Sequence, residues 1–159
     1  ITIISSITGT IIAGSAVDYL RNRNYSDAPV RAAMIAVILA LPPIILLSFV
    51  QTELGAWICI ALYLLFISSF APLGLLAISG VSSGNIKGQT AAIHAFLMMA
   101  FGLSLGPQLT AFFTDFVFVD PNLLINSVSL TGLIVLPISA LLFKLSLSRY
   151  RESSESLLT

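Results

Sequence analysis

Three side chains of this sequence recur at seven-residue intervals inside an apolar run: His94, Phe101 and Gln108. Seven residues bring an α-helix back to roughly the same face. An imidazole, an aromatic ring and an amide on one face of a helix in an apolar medium have two uses: they line a path for a solute or proton, or they make structural hydrogen bonds within the helix packing. Tyr63 is a further candidate of the first kind, with the hydroxyls of Ser5, Ser6 and Thr8 weaker ones, because Ser and Thr readily bond back to their own helix. Upstream, the stretch GSAVDYLRNR (14–23) sets Gly14, Asp18, Arg21 and Arg23 where an apolar run stops. A carboxylate near guanidinium groups at a helix end is suited to ion pairing or to capping another helix. The alternative is simple anchoring of Arg21 and Arg23 in an interface, which leaves Asp18 unaccounted for. With one His and one Cys, the chain offers neither a nucleophile and base pair nor a spaced metal-ligand cluster. Neither an enzyme nor a metal or other cofactor is expected, and no phosphate-binding loop supports direct driving by ATP. Cys59 lies in an apolar run and reads as a small packing residue.

The elements that must carry these groups follow from composition. Hydrophobic residues make up 57% of the chain and charged ones only 9%, where a soluble domain carries roughly 25% charge. With a mean hydropathy of +1.03, the chain cannot cover its outside with polar groups, so lipid must be its main solvent. Zero formal net charge gives no basic field for nucleic acid.

A hydrocarbon core about 30 Å thick requires about 20 apolar residues of helix. Five segments qualify, 1–17, 29–50, 54–80, 88–115 and 123–145, and helix is the conformation that satisfies its own amides in lipid. The expected fold is therefore all-α, a polytopic bundle over 1–147 followed by a polar, disordered tail over 148–159. All seven basic residues fall at one side: Arg21, Arg23 and Arg31 around the first connection, Lys87 in the third, and Lys144, Arg149 and Arg151 at the end. The other side carries Glu53, Asp115 and Asp120. The positive-inside rule makes the basic side, with the C-terminus, cytoplasmic. A start in mid-helix on the outer side, with neither Met nor basic leader, is the expectation for a fragment lacking N-terminal helices.

Asp18 falls at a helix C-terminus, where the dipole disfavours negative charge and a compensating partner is needed. In the fourth segment Gly102 and Gly106 form a GxxxG, and Ala91 and Ala95 repeat small residues at the same spacing; such a face admits a closely packed helix. Pro107 removes a backbone hydrogen bond and is expected to kink this segment. Static packing and a bending gate are both open readings.

With these residues in place, the chain resembles the major facilitator superfamily of secondary transporters. The family's cytoplasmic motif runs Gly, three residues, Asp, a basic residue, one residue, Gly, one residue and two basic residues. Gly14, Asp18 and Arg23 match it; Tyr19, Arg21 and Asn24 depart from it, as in the weaker second copy between the eighth and ninth helices. The stretch SSGNIKGQTAAIHAFLMMAFGLSLGPQLTAFFTD (82–115) is similar to the eleventh helix of the family, and of its Spinster-like branch in particular. The resemblance implies five of twelve helices, about the eighth to the twelfth. It also implies alternating access to a small or amphipathic solute in a plasma or inner membrane. The implied role of Asp18 is a latch to a helix N-terminus of the other bundle, and the implied partners are the N-terminal helices of the same protein, membrane lipid and an unidentified solute. A non-transporting scaffold or assembly subunit is the alternative, and it gives Asp18 no special role.

Overall fold

The computed structural model describes residues 2–82, 84–120 and 123–155. Ile1, Ser83, Pro121, Asn122 and the tail residues 156–159 lie outside the described residues, as do the side chains of Arg149 and Arg151. The described chain is all-α, with five helices long and apolar enough to cross a membrane: Thr2–Asn22, Ala28–Leu47, Glu53–Val81, Lys87–Phe118 and Leu124–Ser148. The first two are α1 (Thr2–Asn22) and α2 (Ala28–Leu47). The third is divided into α3 (Glu53–Ile67) and α4 (Phe70–Val81). The fourth is divided into α5 (Lys87–Leu97) and α6 (Ser104–Phe112), and the last is α7 (Leu124–Glu155).

Four limits differ by three residues or more from the sequence expectation, one being the end of α2, at Leu47 rather than residue 50. Helix α1 continues through Arg21 to Asn22, so Asp18 and Arg21 are helical. The fourth span continues to Phe118 and ends at Val119, which takes a left-handed φ of 53°. Helix α7 runs to Glu155, so residues 148–155 are helical rather than disordered. The extension has an anchor, because the Tyr150 hydroxyl donates to the Ala77 carbonyl of α4 at 3.1 Å.

Helix α2 is the hub. It is buried along Ala28, Val30, Ala32, Ala33, Ala36, Val37, Ala40, Ile44 and Leu47, and its alanines let neighbours approach on several sides, as packing in lipid requires. Ala13 and Val17 of α1 and Leu73 of α4 close one cluster around its first half. Cys59 of α3 and Leu136 of α7 close another around its second half, so Cys59 is a packing residue. Gly132 of α7 receives the Ile44 side chain, where a Cβ would come within 2.6 Å of it.

The break between α3 and α4 has two local causes. Pro72 has no N–H to offer the Ser68 carbonyl four residues back. The serine hydroxyls at the break tie it to α1: Ser68 Oγ donates to the Ser6 carbonyl at 3.3 Å and Ser69 Oγ to the Gly9 carbonyl at 3.2 Å. The fourth span is interrupted twice by π turns, Met98–Leu103 and Phe113–Phe118. The first ends at Leu103, the residue whose carbonyl Pro107 leaves without its i+4 donor. The proline is thus accommodated by a register change ahead of it.

Candidate functional site

The GSAVDYLRNR stretch forms the end of α1 and the turn that leaves it. Asn24 takes a left-handed φ of 61°. Its N–H bonds to the Arg21 carbonyl at 2.8 Å, and the Tyr25 N–H bonds to the Leu20 carbonyl at 3.2 Å. This pair of bonds is a Schellman closure, and Asn is among the few non-glycine residues that tolerate its left-handed position. Asn24, a departure from the family motif, therefore has a backbone role. The Arg23 guanidinium lies 4.8 Å from the Tyr19 ring centre, which gives the second departure, Tyr19, a cation to hold.

The turn delivers Tyr25 and Asp27 to the start of α2. Asp27 is only 1% exposed, and its Oδ1 accepts from Arg31 Nε at 2.8 Å across one helical turn. The Arg31 guanidinium also covers the Tyr25 ring, 4.2 Å from its centre. Pro29 follows within the first turn of α2. There its missing N–H costs nothing, and a carboxylate is favoured by the helix dipole. Asp27 is not among the candidates drawn from the sequence. The Asp–Ala–Pro–x–Arg spacing of an acidic cap, an N-terminal proline and a basic residue four positions on is the signal that marks it.

Tyr150 joins this cluster from α7. Its hydroxyl sits above Gly80, where a Cβ would come within 2.6 Å of it. Burial raises its pKa above the ordinary 10.0, with the Arg21 charge opposing and the Asp27 charge adding to the rise. The folded state thus holds the phenolic proton more tightly than the unfolded chain. The resulting stabilisation is full below pH 10 and is lost as pH climbs through the raised folded value. Tyr150→Phe should remove this part of the alkaline fall in unfolding midpoint, measured by circular dichroism in detergent. It should also lower the neutral midpoint by the loss of one hydrogen bond, about 0.5–1.5 kcal/mol.

Gly14 and Asp18, one turn apart, share a face that is open. A Cβ on Gly14 would meet nothing within 4 Å. Asp18 is exposed and has no ion-pair partner among the described residues. The four motif residues are thus not brought together as one cluster: Arg21 is exposed and acts on Tyr150 through its charge, Arg23 turns to Tyr19, and Gly14 and Asp18 face outward.

The seven-residue alignment of His94, Phe101 and Gln108 does not survive in the structure. The π turn at Met98–Leu103 inserts an extra residue, which rotates the helix beyond it by about 100°. His94 packs against Gly74 of α4, where a Cβ would lie 2.8 Å from Nε2. Phe101 (58% exposed) and Gln108 are exposed. His94 Nε2 is buried without a hydrogen-bond partner, beside an apolar groove of about 460 Å³ lined by Pro72, Leu75, Ala91, Ala95, Met98 and Met99. Of the three, it alone pairs burial with unused polar capacity. Tyr63 packs against the α2–α3–α7 cluster and is part of the helix packing. Gly102 and Gly106 have nothing within 4 Å of a built Cβ, so no other part of the described chain occupies the GxxxG face. Comparison of the chain with protein-family models, with curated proteins and with solved structures finds no match.

Proposed function

We propose that the chain is the C-terminal part of a secondary transporter of the major facilitator type, moving a small or amphipathic solute by alternating access. The observation that carries this reading is Asp18. It is a carboxylate near the C-terminal end of α1, on the same open face as Gly14 and at the basic end of a five-helix apolar bundle. Its own helix dipole repels it there, so the position makes sense when a helix N-terminus of a second bundle docks on the Gly14 face and is capped by Asp18. The open Gly102–Gly106 face supports a second bundle in the same way. The π turns around Pro107 supply a span able to change register, and His94 supplies a polar group beside a groove. The basic end is the cytoplasmic end in this reading, and the membrane is a plasma or inner membrane.

The test uses the intact protein with Cys59→Ala and single new cysteines. Glu53→Cys and Lys87→Cys should react with an impermeant maleimide from opposite sides of the membrane; reaction from one side overturns the five-span topology. Phe101→Cys then reports on access from the basic side. Adding Asp18→Asn breaks the latch, and the labelling rate should rise about threefold, a population shift of under 1 kcal/mol. An unchanged rate in normally inserted protein rejects the latch and favours a non-transporting scaffold.

A further inference from the structure

On the outside of the bundle, α2 and α7 leave a groove of about 340 Å³ between Met34, Ile38 and Leu41 on one side and Pro137, Ala140 and Leu141 on the other, with Lys144 at its end. The two walls are helical stripes, 34, 38 and 41 against 137, 140, 141 and 144, so the groove runs along the helix axes. From Pro137 to Lys144 it is about 10 Å long, some two thirds of one leaflet's share of a core about 30 Å thick.

The ammonium at its end is the informative feature. Lys144 stands four residues inside the apolar stretch that ends at Ser148, and it has no ion-pair partner among the described residues. Its flexible stem can carry the charge along the groove toward the interface. The contact of Ile44 with Gly132 sets the antiparallel register of α2 and α7, and that register brings Arg31 to the level of Lys144. Arg31 is already matched by Asp27. Among the described residues, the end of the groove therefore carries one uncompensated positive charge above an apolar trough.

We propose that this groove holds one acyl chain of an anionic phospholipid from the leaflet on the basic side, with Lys144 paired to the headgroup phosphate. The match is one of length, apolar lining and charge: a single net anion neutralises a single unmatched cation, and basic recesses between membrane helices suit such headgroups. A zwitterionic lipid fills the same trough but brings no net charge to Lys144. The site lies on the outer surface of α2 and α7, away from the Gly14–Asp18 face and the His94 groove, so it does not depend on the transport reading.

The test is native mass spectrometry of the intact protein released from mixed micelles holding equal amounts of dioleoyl phosphatidylglycerol and dioleoyl phosphatidylcholine. The wild-type protein should retain the glycerol lipid over the choline lipid by about fivefold, the ratio one interfacial lysine supplies. Lys144→Gln should bring that ratio near one while leaving choline-lipid retention unchanged, and Lys144→Arg should keep the preference. Ala140→Trp, which fills the trough, should lower retention of both. A preference that persists in Lys144→Gln, or equal loss of both lipids in that variant, overturns headgroup recognition. Retention unaffected by Ala140→Trp overturns the site and marks the lipid as bulk annulus.

Discussion

Gly9→Ala should lower the thermal unfolding midpoint of the protein in detergent by roughly 4–8 °C, against the usual trend for this substitution in a helix. Ala is ordinarily favoured over Gly there by about 1 kcal/mol. At Gly9, however, a Cβ would fall on the Leu65 carbonyl oxygen and come within 2.6 Å of Ser68 Oγ. The obstacle is backbone, which cannot step aside as a flexible side chain can, so α1 must move off the α3–α4 junction. Overpacking of this kind costs about 1–3 kcal/mol. The displacement also breaks the Ser69 hydrogen bond to the Gly9 carbonyl, about 1 kcal/mol more. The net destabilisation, about 2 kcal/mol, converts at roughly 2–4 °C per kcal/mol for a chain of this size. Two comparisons make the test specific. Gly88→Ala, in α5 with nothing within 4 Å, should hold or raise the midpoint, as the usual trend requires. The pair Gly9→Ala with Ser69→Ala should destabilise by less than the sum of the single changes, because the first already breaks the bond the second deletes. An additive pair, or a Gly9→Ala midpoint equal to that of Gly88→Ala, would show that α1 does not rest on this junction.

Gly9 also shows what can be read from the sequence and what cannot. Hydropathy and punctuation located the five spans, because crossing lipid constrains length and composition directly. The ends of the first four agree with the structure to within five residues, the largest shift being α1, which the polar residues Asp18 and Arg21 did not stop. Which glycine is a contact is another matter. Gly14 stood out through its motif, yet Gly9 is the one against which another backbone rests, and nothing local to either distinguishes them. The π turns escaped for a related reason. Pro107 announced a disturbed hydrogen bond, but a kink and a change of register both answer that disturbance. Only the register change separates His94 from Phe101 and Gln108. At the basic end, motif matching drew attention to Asp18 and passed over Asp27, since burial of a carboxylate depends on how α1, α2, α4 and α7 converge.

That convergence makes Asp27→Ala the other severe substitution. The carboxylate is 1% exposed while its partner Arg31 keeps 28% of its side chain exposed. Breaking a fully buried pair costs about 3–5 kcal/mol, chiefly because one charge is stranded. Arg31 can still reach water in part, so about 2–3 kcal/mol is expected here. The turn from Asn24 to Ala28 should loosen as well, since Arg31 would no longer be held over Tyr25. Cys59, buried among Val37, Ala40, Ile44, Leu47 and Leu136 and the chain's one cysteine, serves as the reporter. A thiol-reactive fluorophore should label it at a distinctly lower temperature in Asp27→Ala than in the wild-type protein. Asp27→Asn should fall between them, because an amide oxygen still accepts from Arg31 but without the charge. The decisive variant removes both partners: Asp27→Ala with Arg31→Met should recover part of the loss, since no charge is left stranded. If the double change is instead as unstable as the sum of the two single ones, the pair is not what holds the α1–α2 turn against the bundle. The stabilisation would then have to come from other features of the turn, Pro29 and the Schellman closure at Asn24 among them.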